Sequence, residues 1–410
     1  MLNALVSLIL TVFAVQANAK SYKWELVPIL PACKAGWFCE KSEMPDQVEK
    51  AGIVPRMKDL IQEATKKKAK LSMAFMSFTE PTLFEALCEA GKRGLEIEGF
   101  FHSTAGPPKG LGFRLTEECQ APGKTNISMS YMGMPKGGKS GWRLHHNKYM
   151  LFDFGAGRVE LLFGSANLSS QGLSINFENW NFLSADKKMP LVKDHLCDLE
   201  AMRAARQAGV EQNNPDVFRT KLDACTKRSH KIKDAEADLK KEKVVSLFSP
   251  DPNDFAHLWL VDQIARVVPG GRIRMAVYFF MHKQIIDALK AAQERGVEVR
   301  LLVDDDIYLG KSIPTQQRFW ETFLKPSESK FQVRTFDTDE GSFQLQHNKY
   351  LVLEGVDKLG ETRVFGGAGQ FTNAAFKVNY ENFYVISDED VVGAYSRLYD
   401  KLWEMASPAP

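Results

Sequence analysis

Histidine and lysine stand two residues apart at two places in the chain. The motif at 144–149 reads LHHNKY, and the motif at 345–350 reads LQHNKY. In a β-strand, residues i and i+2 point to the same side of the sheet, so each motif is predicted to present one imidazole and one ammonium group to a common site. These side chains are His146 and Lys148 in the first motif and His347 and Lys349 in the second.

Two imidazoles and two ammonium groups suit the cleavage of a phosphodiester. The phosphate is negative and gains charge on attack, and lysines stabilise that charge more strongly in a buried site than in water. One neutral imidazole can attack phosphorus and form a phosphohistidine. The other, when protonated, can donate to the leaving oxygen and then deprotonate water. This cycle requires no cofactor, and the sequence shows no carboxylate cluster that would hold a metal.

A segment of small and polar residues follows the first motif. After a predicted strand at 159–163, residues 164–167 read Gly-Ser-Ala-Asn. Small residues allow the backbone to approach a phosphate, and the Ser and Asn side chains supply neutral hydrogen-bond donors. Ser165 and Asn167 are therefore candidate phosphate ligands.

Each motif is also followed by Asn-aromatic-Glu-Asn, at 176–179 and at 379–382. We expect Glu178 to accept a hydrogen bond from a histidine ring, which would fix the tautomer and aim the other nitrogen at phosphorus. We expect Glu381 to do the same for the second half. A single His-x-Lys or Asn-x-Glu-Asn is weak evidence, but both motifs in the same order twice favour one site built from two halves.

The likeness between the halves extends to the elements that must position these side chains. Strand-like apolar runs around Met73 and Met275 lie 202 residues apart. A helical pattern of apolar residues follows each run and ends at Arg-Gly, at 93–94 and at 295–296. Glycine just past a helix is the usual left-handed stop, and a further strand is predicted after each pair. Strand–helix–strand twice predicts an α/β fold with two homologous halves and mixed central sheets.

At 410 residues the chain is long enough for about two domains. The homologous domains are predicted at 44–205 and 246–405. Residues 1–19 are predicted to be a signal peptide and residues 20–43 an N-terminal extension with a disulfide. Residues 206–245 are rich in charge and are predicted to be an exposed helix or linker.

The N-terminus and the cysteines predict a secreted or periplasmic protein. An apolar run at 5–15 is followed by Ala-Asn-Ala at 17–19, a small-x-small cleavage signature. The run is too short to span a bilayer, and no other stretch is long and apolar enough to do so. Six cysteines, an even number, favour disulfides. Among the fifteen connectivities that six cysteines allow, candidate pairs are Cys33 with Cys39 and Cys197 with Cys225.

The balance of charge excludes some function classes. The net charge is +2 with 25% charged residues, which is too balanced for a general nucleic-acid coat or a polybasic membrane binder. Two long segments, 104–141 and 307–341, are predicted to be loops. Both lead into a His-x-Lys motif, so we expect them to form the rim of the site.

These residues resemble the phospholipase D superfamily, whose hallmark is His-x-Lys-x4-Asp followed by Gly-Ser-x-Asn. The first half matches throughout, with Asp153 at the aspartate position. The second half has Glu354 at that position and Gly-Ala-Gly-Gln at 367–370, so serine is lost and asparagine is replaced by Gln370. Because Asp153 is expected to be structural, the change to Glu354 should matter little to the chemistry.

The resemblance implies a monomer with pseudo-twofold symmetry, two α/β/α halves and the active site on the seam between them. By analogy with the superfamily, His146 attacks phosphorus and His347 protonates the leaving group. The groups that would hold the phosphate are Lys148, Lys349, Ser165 and Asn167, with Gln370 as a weaker counterpart.

Members of the superfamily cleave phospholipids, nucleic acids or other diesters, and the shared residues do not distinguish these substrates. Predicted export and near-neutral charge favour phospholipase D-type hydrolysis of a phospholipid, with peripheral contact to a membrane. A nuclease is the second interpretation, because the Asn-x-Glu-Asn tail resembles the nuclease and mitochondrial cardiolipase-like branch. The third is an inactive module that holds a phosphate-bearing ligand, motivated by the altered segment at 367–370.

Overall fold

The structure, a computed structural model, describes most of the chain. The described residues are 21–34, 36, 38–103, 110–133, 143–207, 214–251, 253–308, 331–336 and 344–409. The predicted signal peptide at 1–19 and parts of both predicted rim loops lie outside these residues.

The strands of the described residues form two sheets, one in each half. The first sheet contains β1 (Lys23–Ile29), β2 (Lys70–Phe75), β3 (Glu96–His102), β4 (Ile127–Met132), β5 (Lys148–Asp153), β6 (Arg158–Gly164) and β7 (Glu178–Asp186). The second contains β8 (Val244–Ser249), β9 (Val267–Val277), β10 (Glu298–Asp304), β11 (Gln332–Phe336), β12 (Lys349–Val356), β13 (Thr362–Gly367), β14 (Glu381–Ile386) and β15 (Ser407–Pro408).

Helices lie between these strands along the chain. The first half has a short 3-10 helix (Lys41–Glu43) and the helices α1 (Met44–Lys50), α2 (Ile53–Lys67), α3 (Pro81–Lys92), α4 (Leu111–Glu118) and α5 (Pro190–Gln207). The helices α6 (Pro215–Thr226) and α7 (Ile232–Glu242) connect the halves. The second half has α8 (Phe255–Ala265), α9 (Lys283–Glu294), α10 (Asp305–Tyr308), α11 (Asn373–Lys377) and α12 (Glu389–Met405).

The two sheets repeat one strand order. The first runs β1-β7-β6-β5-β2-β3-β4, and the second runs β8-β14-β13-β12-β9-β10-β11-β15. In each half three neighbouring strands are parallel, β2-β3-β4 and β9-β10-β11. The strands that carry the motifs and their tails pair antiparallel. The predicted α/β fold of two homologous halves with mixed sheets is confirmed.

The Arg-Gly stops predicted from the sequence lie at the ends of two helices. The predicted helices correspond to α3 and α9, and each is followed by arginine and then glycine. Gly94 and Gly296 have φ angles of 91° and 92°, which is the left-handed conformation that stops a helix. Proline at the first position of α3 loses no hydrogen bond, because that N–H would have no helical partner.

The structure corrects three expectations about chain organisation. Within the predicted extension 20–43, β1 lies beside β7 just as β8 lies beside β14, so part of this extension belongs to the first sheet. The predicted loop 104–141 contains α4 and β4, and 307–341 contains β11. The strands β4 and β11 are short and only partly apolar, so their sequences resemble loops.

Three apolar layers stabilise the fold. One lies between the sheets and contains residues of both halves together with α5 and α12. The other two cover the outer faces of the first and second sheets. Four side chains of β5 and β12 lie in the central layer: Tyr149, Leu151, Tyr350 and Val352. These buried positions hold the motif strands in place.

Three disulfides lie in the first half and its connection to the second: Cys33–Cys39, Cys88–Cys119 and Cys197–Cys225. Two of them are the pairs suggested by the sequence. Among the described residues, no helix combines the length and the apolar character needed to cross a membrane.

Candidate active site

Each His-x-Lys motif lies on the seam between the halves, immediately before its strand. Both strands begin at the motif lysine, so the histidines precede the strands rather than lie within them. The backbone N–H of His146 donates to the Tyr380 carbonyl at 2.8 Å, and that of His347 donates to the Phe177 carbonyl at 3.0 Å. Each motif is therefore bound by the Asn-aromatic-Glu-Asn segment of the other half.

The two glutamates are exchanged between the halves. His146 Nδ1 lies 2.6 Å from Oε2 of Glu381, and His347 Nδ1 lies 2.5 Å from Oε1 of Glu178. The expectation that each glutamate serves its own half is wrong, because the short bridges across the seam place each tail beside the opposite motif. Since Nδ1 of each ring is engaged, Nε2 is the nitrogen left for a substrate.

The first asparagine of each tail binds the backbone of the opposite motif. Asn379 Oδ1 accepts from the N–H of Leu144, and Asn176 Oδ1 accepts from the N–H of Leu345, both at 3.0 Å. A buried N–H that loses its partner costs about 1–3 kcal/mol, so these bonds stabilise the exchange. Sequence reasoning assigned no role to these residues, although the repeat of asparagine two positions before each glutamate is a signal that could have identified them.

The two lysines lie farther from solvent than the histidines and bind the backbone of their own motifs. Lys148 Nζ donates to the His146 carbonyl at 3.0 Å, and Lys349 Nζ donates to the His347 carbonyl at 2.5 Å. Both lysines are fully buried, whereas His146 and His347 are 5% and 7% exposed. The structure thus brings all four motif side chains together, with the imidazoles nearest to an incoming substrate.

Burial and the close approach of like charges determine the pKa values in this site. Desolvation, with the charge of Lys349, lowers the pKa of Lys148 to about 7; desolvation lowers the pKa of Lys349 to about 8. Desolvation and both lysines hold the pKa of His146 well below its usual value, and desolvation lowers the pKa of His347 to about 4. Burial raises the pKa of Glu381 to about 8. A phosphate anion would stabilise the cationic forms that burial disfavours.

The Ser165 hydroxyl binds the carboxylate of Glu178 rather than facing a substrate. Its Oγ donates to Glu178 Oε2 at 2.5 Å. The same oxygen accepts from the backbone and side-chain N–H groups of Asn179 at 3.0 and 3.2 Å. The prediction that Ser165 binds phosphate is therefore corrected, because its one proton and both lone pairs are already used.

Asn167 and Gln370 differ in what remains for a phosphate. Asn167 Oδ1 is buried and makes no hydrogen bond within the described part of the chain. Gln370 Oε1 accepts from the backbone N–H of Phe279 at 3.1 Å. Gln370 therefore binds its own half through its oxygen, and only its amide nitrogen is left for a ligand. Phosphate binding by these two residues stays a prediction.

Asp153 and Glu354 lie five residues beyond the motif lysines and make structural contacts. Asp153 pairs with Lys187 at 2.5 Å and accepts from the N–H of Gly155 at 3.0 Å. Glu354 accepts a hydrogen bond from Arg274, whose side chain is buried. Glu354 therefore matters to the packing of the second half.

Tyr278 contacts the site although the sequence did not indicate it. Its ring lies 5.0 Å from the His347 ring in an edge arrangement, and Lys349 Nζ lies 6.0 Å from its centroid. The residue 202 positions earlier is Met76, so the first half has no aromatic residue at the matching position. Across the described residues, no three His, Cys, Asp or Glu side chains group in a way that could hold a metal ion.

Comparison with known proteins agrees with this geometry. Residues 57–202 and 263–403 match the family described as "Cardiolipin synthase, PLD-like domain". Each half thus carries its own match, and together the two matches cover more than half of the chain. The chain belongs to the phospholipase D superfamily.

Two individual relatives and one solved structure share 28% sequence identity or less with this chain over the matched residues. A stretch of 137 residues, 33% of this chain, is 28% identical to the mitochondrial cardiolipin hydrolase of Xenopus laevis and covers 57% of that protein. A stretch of 194 residues, 46% of this chain, is 27% identical to a phospholipase D of Rickettsia felis and covers 84% of it. The phosphatidylserine synthase of Haemophilus influenzae shares the fold, with a TM-score of 0.56 at 12% identity over 87% of this chain and 86% of that one.

Proposed function

We propose that this protein is a metal-independent phosphodiesterase that hydrolyses a phospholipid to phosphatidate and a free head group. The observation that supports this most directly is the exchanged pair of histidines, each oriented through Nδ1 by a carboxylate of the other half. With two buried lysines beside them, they supply one nucleophile, one acid and two cations to a single phosphate.

In the first step, Nε2 of His146 attacks phosphorus and the bond to the head-group oxygen breaks. His347, protonated at Nε2, gives its proton to that oxygen. Lys148 and Lys349 stabilise the charge that grows on the phosphoryl oxygens, and their burial strengthens the effect. The products are a phosphatidyl group bound to His146 and the free head-group alcohol.

In the second step, water hydrolyses this intermediate. His347, now neutral, takes a proton from the water as its oxygen attacks phosphorus, and the bond from phosphorus to His146 breaks. Phosphatidate leaves, and His347 is protonated again. Glu178 stabilises the imidazolium of His347, which loses its proton in the first step and is formed again in the second, because Glu178 accepts the hydrogen bond from Nδ1.

The choice of a phospholipid rests on the relatives. The matched proteins are named as a cardiolipin hydrolase and a phospholipase D, and the matched family description names a cardiolipin synthase. A nuclease of the same superfamily is the competing function, because the Asn-x-Glu-Asn tails resemble that branch. Both functions use the same residues, so an experiment must separate them.

Export to an oxidising compartment is part of the proposal. Three disulfides use all six cysteines, which suits a secreted or periplasmic protein. N-terminal sequencing of the protein recovered outside the cytoplasm should give a chain that begins near Lys20. A chain that retains Met1 in that fraction would contradict the predicted cleavage.

The test compares two substrates in the presence of EDTA: phosphatidylcholine vesicles and single-stranded DNA. We expect head-group release by the unmutated protein, intact DNA, and a loss of at least about 10³-fold in His146→Ala. His230→Ala, a histidine outside the site, serves as the matched control. Cut DNA with intact lipid would make the protein a nuclease. Binding of a diester without any turnover would favour the inactive module, and restoration by a metal after EDTA would overturn the metal-free cycle.

A further inference from the structure

The two histidine–carboxylate pairs differ chemically although the backbone around them is the same. The N–H of Ser165 donates to the Asn179 carbonyl at 3.1 Å, and the N–H of Ala368 donates to the Asn382 carbonyl at 2.9 Å. Ser165 and Ala368 therefore occupy the same place in the two halves, and both are fully buried. Only the first-half residue carries a hydroxyl group.

The hydroxyl proton of Ser165 can point in only one direction. Two N–H groups of Asn179 donate to Oγ, so its lone pairs are engaged and its proton is directed to Glu178 Oε2 at 2.5 Å. A short O–H bond to a carboxylate stabilises the ionised form strongly. Glu178 therefore faces His347 through one carboxyl oxygen while its other oxygen accepts this hydroxyl bond.

Glu381 lacks this partner. Its second oxygen accepts only an amide N–H in the described structure, from Asn379 at 3.1 Å, which is a longer and weaker bond. Burial raises the pKa of Glu381 to about 8, in the direction expected for a carboxylate with less support. His146 therefore faces a carboxylate that gives less stabilisation to an imidazolium.

We propose that Ser165 is a positioning residue that holds the proton on His347, and that Ala368 at the matching place leaves His146 neutral. One hydroxyl thus assigns the acid to His347 and the nucleophile to His146. This inference rests on the proposed function for its consequence in catalysis, but the protonation states that it assigns can be measured without turnover.

The other charged groups around the two rings do not produce this difference. Both rings face Lys148 and Lys349, which disfavour a second proton on either ring. His146 also faces His145, but burial lowers the pKa of His145 to about 3, so that ring is neutral. Among the described residues the remaining neighbours are Glu381 and His347 beside His146, and Glu178 and Tyr278 beside His347. Tyr278 and the Ser165 hydroxyl are both found on the His347 side, and the hydroxyl is the one that bonds directly to the carboxyl group paired with the ring.

The test is an NMR titration of protein labelled with ¹⁵N-histidine, in saturating dimethyl phosphate, with assignments from His146→Ala and His347→Ala. We expect His347 to keep its second proton to a higher pH than His146. Ser165→Ala should lower the midpoint of His347 by about one pH unit, and Ser165→Thr should restore it. Ala368→Ser should raise the midpoint of His146 by about one unit. Each change to Ala or Ser copies the residue at the matching place in the other half.

A midpoint for His146 equal to or above that of His347 would overturn the inference, as would a Ser165→Ala variant in which neither midpoint moves. The titration midpoints decide the inference even if the protein cleaves no diester. Absence of cleavage would contradict the proposed function but not this inference. With an active protein, Ser165→Ala should move the alkaline limb of kcat to lower pH and Ala368→Ser the acidic limb to higher pH. Unchanged limbs in an active protein would overturn the assignment of roles.

Discussion

Two buried lysine ammonium groups make anion binding at this site depend on pH. Lys148 and Lys349 have no exposed surface, and desolvation lowers their pKa values to about 7 and about 8. Each is held by a backbone carbonyl of its own motif. Without a bound anion, the positive charge of these lysines is therefore lost as the pH rises through 7 to 8, which links anion binding to protonation.

This linkage gives a prediction for ligand affinity. Dimethyl phosphate keeps a single negative charge across this range, so any change in its affinity must come from the protein. We expect its dissociation constant to increase by about tenfold or more between about pH 6 and 9, because binding must then also charge the lysines. Calorimetry in buffers of different protonation enthalpy would measure both affinity and proton uptake. An affinity that stays constant across this range would contradict the shifted lysines.

Glu381 gives a prediction for stability. Burial raises its pKa from 4.5 to about 8, so its favourable contribution to folding is complete below about pH 4.5 and is lost as the pH rises through about 8. Glu381→Gln removes this loss and can still accept the hydrogen bond from His146. Relative to the unmutated protein, we expect its free energy of unfolding to rise by at least about 1 kcal/mol between pH 5 and 8.5.

Urea unfolding at the two pH values measures this difference. Glu89→Gln, at a side chain that is 75% exposed, is the matched control and should show no such trend. The prediction is wrong if Glu381→Gln follows the control. Loss of turnover in the same variant would show that catalysis needs the carboxylate beside His146 although this group lowers the free energy of unfolding at alkaline pH.

At the scale of elements, the sequence predicted those strands and helices whose signals lie within a few neighbouring residues. Apolar runs and Arg-Gly stops located β2, α3, β9 and α9, because alternation, helical spacing and a left-handed glycine are encoded within a few residues. The strands β1, β4 and β11 were missed because each is short and only partly apolar. Such a sequence carries little strand signal of its own.

Asp153 and Glu354 occupy the same motif position, but we expect them to contribute differently to the free energy of unfolding. Glu354 binds the buried Arg274, whose other ion-pair partner Asp400 is half exposed, so Glu354→Ala should lower the free energy of unfolding by about 2–3 kcal/mol. Asp153 pairs with the half-exposed Lys187, so Asp153→Ala should cost less than about 1 kcal/mol beyond its turn contact.

Urea titrations of both variants test this contrast, and turnover per folded molecule should be unchanged in each. Equal losses of stability would show that Arg274 does not depend on Glu354. A loss of kcat in folded Glu354→Ala would contradict the view that this position is structural.

For the whole molecule, the exchange of glutamates makes the halves interdependent. The sequence could predict the four motif side chains and both glutamates, because their types and order repeat. It could not predict which glutamate pairs with which histidine. The constant offset of about 200 residues is the same whether each glutamate binds the histidine of its own half or that of the other half. Only the pairing of His146 with Tyr380 and of His347 with Phe177 across the seam decides it.

The disulfides give a prediction at this scale. Cys88–Cys119 joins α3 to the end of α4, with 31 residues of separation. Replacing both cysteines by serine should lower the free energy of unfolding by about 2–5 kcal/mol, because the unfolded chain gains freedom. The second half has no cysteine after Cys225 and should not respond to reductant by itself. Unfolding with and without reductant, followed by hydrogen exchange in each half, would measure this, and an unchanged first half would contradict it.

The central claim is that one site, shared by the two halves, cleaves a diester through a covalent intermediate on His146. Its most direct test is to mix the protein with phosphatidylcholine labelled in the phosphatidyl group, stop the reaction in alkali during the first turnover, and map the labelled peptide. We expect the label on His146, and its accumulation in His347→Ala with a substrate whose leaving group needs no proton. An active protein that carries no label, or carries it on His347, would contradict the account.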